Sequence, residues 1–330
     1  MAARVVRRIG LIGVGKHGVR YARHIRDDLP ELELAALARR DAARVEAAAR
    51  EFGGRPFTDY RQLIAEGGVD AVIVVVPPTL HAAVVDCAAR AGLPVLLEKP
   101  AAPSLAVGRT LRATLARHPV PLMVAQTLRY NAVVRALHAA LPRIGRLRSF
   151  TFTQRFEPSP LGWLDDPAQS GGGIVLHTGV HAFDLLRFFG GLSADRVTCD
   201  VQAIHTRNTE DNFVATVRLG DGAALATVSC SRSAGARNGR IEIAGEHGTL
   251  LGDHVLNQAA LVVGTTVELL PVAAGVATVR EVVRDFVAAL RADAPMPIGL
   301  DDGLCAVALA DACYRAARDG RAAAVEAVEV

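Results

Sequence analysis

Only two of the 37 Lys and Arg side chains are lysines, Lys16 and Lys99. Lys99 stands in PVLLEKP (94–100), after an apolar run and before a proline. An arginine there would stay protonated, whereas a lysine can release a proton when burial or a neighbouring cation lowers its pKa. The position suits general acid–base work. A second group of titratable residues lies in GGGIVLHTGVHAFDLLRFF (171–189). If this segment is helical from Ile174, then His177, His181 and Asp184 fall at i, i+4 and i+7 and share one face. His181 can serve as an acid or base near neutral pH. Asp184 would orient an imidazole or cap backbone groups, and we read it as structural. Two histidines at i, i+4 also suit zinc, but no third ligand follows a metal-site spacing, so no metal is expected.

A third constellation is GVGKHG, which places Gly13, Gly15 and Gly18 as G-x-G-x-x-G, with Lys16 and His17 between them. It follows a strand pattern and opens a helix pattern, the context in which this motif binds a dinucleotide. The first glycine allows the tight turn, the second lets backbone approach a pyrophosphate, and the third lets helix and strand pack closely. The helix N-terminus adds N–H donors and partial positive charge. Near the end of the second strand, where NAD-binding domains place an acid for the ribose 2′-hydroxyl, this chain reads LARRD. Arg39 and Arg40 there can hold a 2′-phosphate, so NADP(H) is the preferred cofactor and NAD(H) the alternative. Asp41 reads as the N-cap of the next helix. Glu98 and Lys99 end the strand PVLLE, at the carboxyl edge where ligands bind in such sheets.

These residues need a framework, and the pattern supplies one. RIGLIG (8–13), LELAALA (32–38), DAVIVVV (70–76), PVLLE (94–98) and PLMVAQT (121–127) read as strands. They alternate with helices over 16–26, 41–52, 80–90 and 104–117, which describes βαβ units and a doubly wound parallel sheet. The β-branched run at 70–76 fits a strand covered on both faces. Beyond residue 125 the pattern changes. SFTFTQRF (149–156) puts Phe150, Phe152 and Phe156 on one face and Thr151, Thr153 and Arg155 on the other. Residues 212–231 read as two strands around a Gly-Asp-Gly turn, and RIEIAG (240–245) alternates as well. This is the signature of an antiparallel sheet with one wet or partner-covered face. Helices are expected over 279–293 and 301–319, the latter buried all round at Leu304–Ala310. The chain is thus expected to be α/β, with an N-terminal Rossmann domain (1–125) and a C-terminal α+β domain (126–330). The last helix, 301–319, is expected to pack back toward the N-terminal domain.

The 330 residues are 51% hydrophobic and 22% charged, as in globular chains. No apolar run approaches the ~20 residues of a spanning helix. The arginine-led start reads as the first strand and phosphate loop rather than a leader, so a cytoplasmic protein is expected. Five widely spaced cysteines without C-x-x-C point to free thiols. The net charge of +3 comes from scattered arginines, which argues against nucleic-acid binding.

GVGKHG, PPTLH (77–81), EKP (98–100) and GGGIVLHTGVHAFD (171–184) together resemble the glucose-fructose oxidoreductase / inositol dehydrogenase / MocA (Gfo/Idh/MocA) family. The likeness extends to IEIAGEHGTL and the final helix. It implies a large, mostly antiparallel open sheet in the second domain, through which homodimers or homotetramers form. It also implies an NAD(P)-dependent oxidoreductase that moves a hydride between nicotinamide C4 and a secondary alcohol or ketone of a sugar, polyol or related small molecule. The family's catalytic Lys falls on Lys99 and its His on His181. Pro77, Thr79 and His81 would approach the nicotinamide side. The family's Asp falls on His177, so the site would hold a second imidazole in place of an anion, binding a neighbouring hydroxyl or assisting. Arg129, Tyr130, Gln154 and Trp163 are further pocket candidates. Two rivals are carried: a glycosidase using NAD in an internal redox cycle, which Arg39 and Arg40 disfavour, and a non-catalytic nucleotide-sensing regulator, which the change at His177 favours and Lys99 with His181 disfavours.

Overall fold

In the computed structural model, residues 5–328 are described; residues 1–4 of the leader-like start, and the outer ends of both expected domains (1–4 and 329–330), lie outside them. The apolar runs of the first part form six parallel strands: β1 (Arg8–Ile12), β2 (Glu33–Ala38), β3 (Arg55–Phe57), β4 (Ala71–Val74), β5 (Val95–Glu98) and β6 (Leu122–Ala125). Helices α1 (Gly18–Asp28), α2 (Ala42–Phe52), α3 (Tyr60–Glu66), α4 (His81–Arg90) and α5 (Leu105–Arg117) connect them. The strand order is β3-β2-β1-β4-β5-β6. The order reverses between β1 and β4, and ligands of such sheets bind beyond the carboxyl ends at that switch point. Every residue of β4, β5 and β6 is buried, because strands covered on both faces hold no wet side. Strand β3 and helix α3 have no counterpart in the sequence reading: three residues are too short for a period.

The second part folds around a nine-stranded sheet of β7 (Leu147–Arg155), β8 (Ala194–Gln202), β9 (Asn212–Leu219), β10 (Ala224–Ser231), β11 (Asn238–Gly245), β12 (Thr249–Asp253), β13 (Gln258–Val263), β14 (Thr266–Leu269) and β15 (Ala323–Ala324). Their order is β14-β13-β12-β11-β7-β10-β9-β8-β15, and only β7 and β10 pair in parallel. Five helices accompany them: α6 (Ala132–Ala140), α7 (Pro167–Ser170), α8 (Val180–Gly190), α9 (Thr278–Ala292) and α10 (Leu300–Asp319). The expected alternation holds. Phe150 and Phe152 of β7 join Phe213, Val217, Val228 and Ile241 in a core covered by α6, α8 and α10. On the opposite face Thr198, Thr216, Thr227 and Thr151 stand side by side across β8, β9, β10 and β7. Thr suits that face because its β-branched body fits the pleat while its hydroxyl stays hydrated.

The boundary is not a single cut at residue 125. The first compact unit comprises residues up to Ala102, Ala106–Thr127 and Ala277–Gly303; the second holds Pro103–Leu105, Leu128–Val276 and Leu304 onward. Helix α9 returns to the first unit because its apolar stripe packs on α1 and Arg291 donates to the Val6 carbonyl, 2.7 Å away. The Val124 N–H donates to Ile298 O at 3.0 Å, which covers the β6 edge.

Candidate active site

The glycine loop sits at the carboxyl end of β1. Gly13 has φ +101°, and a Cβ there would run into the Val75 carbonyl. A Cβ on Gly18 would meet the Gly13 carbonyl, so the motif's third glycine permits close packing of α1. A Cβ on Gly15 would meet nothing within 4 Å, so backbone faces open space there. His17 precedes α1 and its side chain caps none of the helix's N–H groups. Open backbone beside an uncapped helix start is a cradle for a pyrophosphate, and the residues present fit a dinucleotide. Lys16 is exposed beside it. At the end of β2, a guanidinium nitrogen of Arg39 donates to the Val14 carbonyl inside the loop, while Arg40 is exposed. Asp41 caps α2, accepting the Arg44 N–H at 3.0 Å. No carboxylate stands free at this strand end among the described residues.

Glu98 closes β5 and is buried. Its Oε1 accepts the Tyr21 hydroxyl at 2.5 Å and lies 2.7 Å from His17 Nε2; its Oε2 accepts the Lys99 backbone N–H at 3.0 Å. Burial alone would raise its pKa. The charge and hydrogen bond of His17, the Lys99 charge and the Tyr21 hydrogen bond outweigh that and bring it down to about 2. Burial, with Glu98 beside it, pushes the Tyr21 phenol well above its usual range. Lys99 follows on the carboxyl edge, joined to Pro100 by a cis peptide bond. Pro77 and Thr79 lie in the short turn after β4. His81 opens α4 fully buried, its Nε2–H donating to the Val76 carbonyl at 3.0 Å, and burial lowers its pKa. Glu98 and Tyr21 thus hold one another, a pairing sequence reasoning missed. The available signal was a tyrosine on the buried face of α1, since a buried phenol takes a hydrogen-bond partner.

In the second unit the histidine segment is not a uniform α-helix. Residues Val175–Gly179 form a π-turn before α8, and such turns recur at functional sites. The extra residue breaks the expected i, i+4 register. His177 is buried, with Nε2–H donating to Ser170 O at 3.1 Å and its ring edge-on to Trp163 at 5.4 Å. His181 lies half-buried in the first turn of α8. Asp184 is buried in α8. It takes a bidentate pair of bonds from Arg129, at 2.6 and 2.8 Å, inside the unit. That commits Arg129 to Asp184. Tyr130 is buried under the Arg135 guanidinium. Gln154 points to the Phe face of β7, bonding Asn238 O and His254 Nε2, each at 2.7 Å.

Sequence reasoning also missed what starts this helix. Glu210 Oε1 accepts the Val175 N–H at 3.0 Å and the Tyr314 hydroxyl at 2.8 Å, and its carbonyl accepts the Ile174 N–H at 2.9 Å. The Gly173 N–H donates to the Tyr314 oxygen at 3.1 Å. A Cβ on Gly173 would strike the Glu210 carbonyl, so a glycine is required there. No local pattern announces a carboxylate supplied from so far along the chain.

Comparison with known proteins places this geometry. The family model of the GFO_IDH_MocA oxidoreductases, with NAD-binding Rossmann fold, matches residues 7–126, and that of the GFO/IDH/MocA C-terminal domain matches 135–251. The 1,5-anhydro-D-fructose reductase of Ensifer adhaerens is 31% identical over 233 residues, covering 68% of this chain and 70% of that one. The inositol 2-dehydrogenase of Rhizobium meliloti (strain 1021) is 26% identical, covering 95% of this chain and 98% of that one. A levoglucosan dehydrogenase in complex with NADH and L-sorbose shares the fold with a TM-score of 0.89 at 20% identity, over 98% of this chain and 100% of that one.

The Glu98 cluster makes stability depend on acid. Its folded pKa of about 2 lies below the ordinary 4.5, so its stabilisation is present above pH 4.5 and is lost as pH falls toward 2. The unfolding free energies of the wild type and Glu98→Gln should differ by ~3 kcal/mol at pH 7, with the gap closing below pH 4.5. Urea unfolding across that range measures it, and a pH-independent gap contradicts the assignment.

Proposed function

The chain belongs to the Gfo/Idh/MocA oxidoreductase family, and on that premise we propose an NADP-preferring enzyme acting on a secondary alcohol or ketone of a sugar, polyol or related small molecule. The observation that carries this reading is Lys99, set at the same sheet edge as an open dinucleotide loop and anchored there through its backbone by Glu98. When bound, the cofactor supplies hydride exchange at nicotinamide C4. Gly13, Gly15 and Gly18 hold its pyrophosphate, with Lys16 and His17 at the rim. Arg39, already hydrogen-bonded to the loop, and the exposed Arg40 take the 2′-phosphate, since the neighbouring Asp41 is occupied as a helix cap.

We assign exchange of the substrate hydroxyl proton to His181 and polarisation of the substrate oxygen to Lys99. His177, held by its Nε2–H on Ser170 O, is assigned to binding a neighbouring hydroxyl or to assisting the exchange. Pro77 and Thr79 border the nicotinamide, and the buried His81 steadies their turn. A cytoplasmic setting and a homodimer or homotetramer built through the open sheet complete the proposal. Exposed Val214, Leu225, Leu251, Val267 and Leu269 support a covered sheet face.

Turnover at 340 nm with a panel of sugars and polyols tests the activity. We expect net NADP reduction or NADPH oxidation, and a kcat at least 100-fold lower in Lys99→Ala with cofactor affinity little changed, general acid–base groups supplying ~10²–10⁴-fold. Product without net cofactor change would instead indicate the glycosidase cycle. Arg39→Asp should shift preference toward NAD by ~1.5–3 kcal/mol, the range of a charged hydrogen bond; equal affinities for NADPH and NADH in the wild type sink this assignment. Light scattering at micromolar concentration should give a dimer or tetramer, and a monomer overturns the covered face.

A further inference from the structure

The π-turn that carries His177 has a second polar neighbour. Arg232 follows β10 and is held by its backbone, whose N–H donates to Asp211 O at 2.7 Å. Its Nη2 donates to Thr178 Oγ1 at 3.2 Å. Thr178 lies between His177 and His181 on the same helix. Among the described residues this is the one hydrogen bond the guanidinium makes, and no carboxylate stands within ion-pair distance. The nearby acids are committed elsewhere. Glu210 takes the Val175 N–H and the Tyr314 hydroxyl, and Asp211 takes the backbone N–H groups of Ile204, His205 and Thr206.

Two other half-buried arginines beside this core differ. Arg129 is paired bidentately by Asp184. Arg155 donates to the carbonyls of Gln154 and Ser229 and to the Ser229 hydroxyl. Arg232 has surrendered much of its water: burial lowers its pKa, the nearby Cys230, Glu210 and Asp211 offset this only in part, and none of them pairs with the guanidinium directly. The residue as a whole is half-buried, not sealed inside the core. Desolvating a charge without pairing it is costly, and a planar fork of N–H donors matches a carboxylate or phosphate.

We propose that Arg232 binds an oxyanion of the substrate, which narrows the substrate class from neutral sugars and polyols to acidic ones: uronates, aldonates or sugar phosphates. The Thr178 hydroxyl steers the guanidinium, and the adjacent histidines then meet a hydroxyl on the same molecule. This rests on the oxidoreductase reading above.

The test compares D-galacturonate, D-gluconate and glucose 6-phosphate with D-glucose and myo-inositol, using the full chain with both cofactors. Melting temperatures are measured alongside, with each compound and no cofactor. In the wild type an acidic compound should exceed the neutral ones at least tenfold in kcat/KM and should raise the melting temperature. Whether the carboxylates or the phosphate do so identifies the oxyanion. Arg232→Gln should raise KM for that acid about 10- to 100-fold, the range of one lost charge-assisted hydrogen bond, and change neutral substrates less than twofold. Arg232→Lys should restore part of the loss. Thr178→Val, which keeps the charge but not its orientation, should give an intermediate KM. Equal use of acids and neutral compounds, or equal damage to both in Arg232→Gln, overturns the oxyanion site while leaving the oxidoreductase reading intact. Acids that stabilise the wild type but not Arg232→Gln, with no turnover of any compound, leave the site standing and remove the oxidoreductase reading. No stabilisation and no turnover overturns both.

Discussion

A carboxylate buried at the end of a parallel strand must be met by donors or positive charge, and much of the first unit's chemistry follows from how Glu98 is met. Its oxygens gather Tyr21 from α1, His17 from the glycine loop and the backbone N–H of Lys99. Three things that a dinucleotide enzyme must hold in register are thereby joined: the loop that receives phosphate, the helix whose N-terminus faces it, and the strand end that presents the amine. Burial would neutralise an isolated acid, but the surrounding charge and hydrogen bonds keep this one ionised far below neutral pH.

The second unit solves a related problem at the start of its histidine helix. Gly171, Gly172 and Gly173 leave room for the Pro103 ring, the Tyr314 hydroxyl and the Glu210 carbonyl, and Glu210 with Tyr314 receives N–H groups that a helix start leaves open. A carboxylate there also complements the helix dipole. The π-turn that follows turns His177 inward onto Ser170 O and leaves His181 to begin regular helix. Deeper along the same helix, Asp184 is buried and would be costly alone; the Arg129 fork satisfies both its oxygens. Polar residues in this segment therefore divide by partner. Those with a complete set of bonds hold the framework, and Arg232, with one, does not.

The open sheet joins these polar devices to the core. Alternation puts the Phe side chains of β7 under the helices and the Thr row on the opposite face, so one strand serves both interior packing and an external surface. The inward side ends in polar groups at Gln154 and His254. These bond each other rather than remaining unmatched, and burial brings the His254 pKa down to about 4.

The amino-acid order by itself determined the alternating strands and helices of the doubly wound sheet, four alternating strands and the two last helices of the remainder, the glycine loop and the singular Lys99. Each of these is written locally: hydrophobic period, glycine spacing and a residue type that departs from the chain's own arginine habit. Short β3 and α3 were invisible because they hold too few residues for a period. The uniform histidine helix was misread because one inserted residue makes a π-turn, and single-residue periodicity does not register that. That Arg129, Tyr130 and Gln154 are largely buried was not legible either, because burial of a single polar residue has no local signature. What only the tertiary structure decided are pairings across long stretches of chain: Tyr21 with Glu98 over 77 residues, Arg129 with Asp184 over 55, and Glu210 with Tyr314 over 104. A buried polar group needs a partner wherever it lies, and only the packed chain determines which partner is within reach.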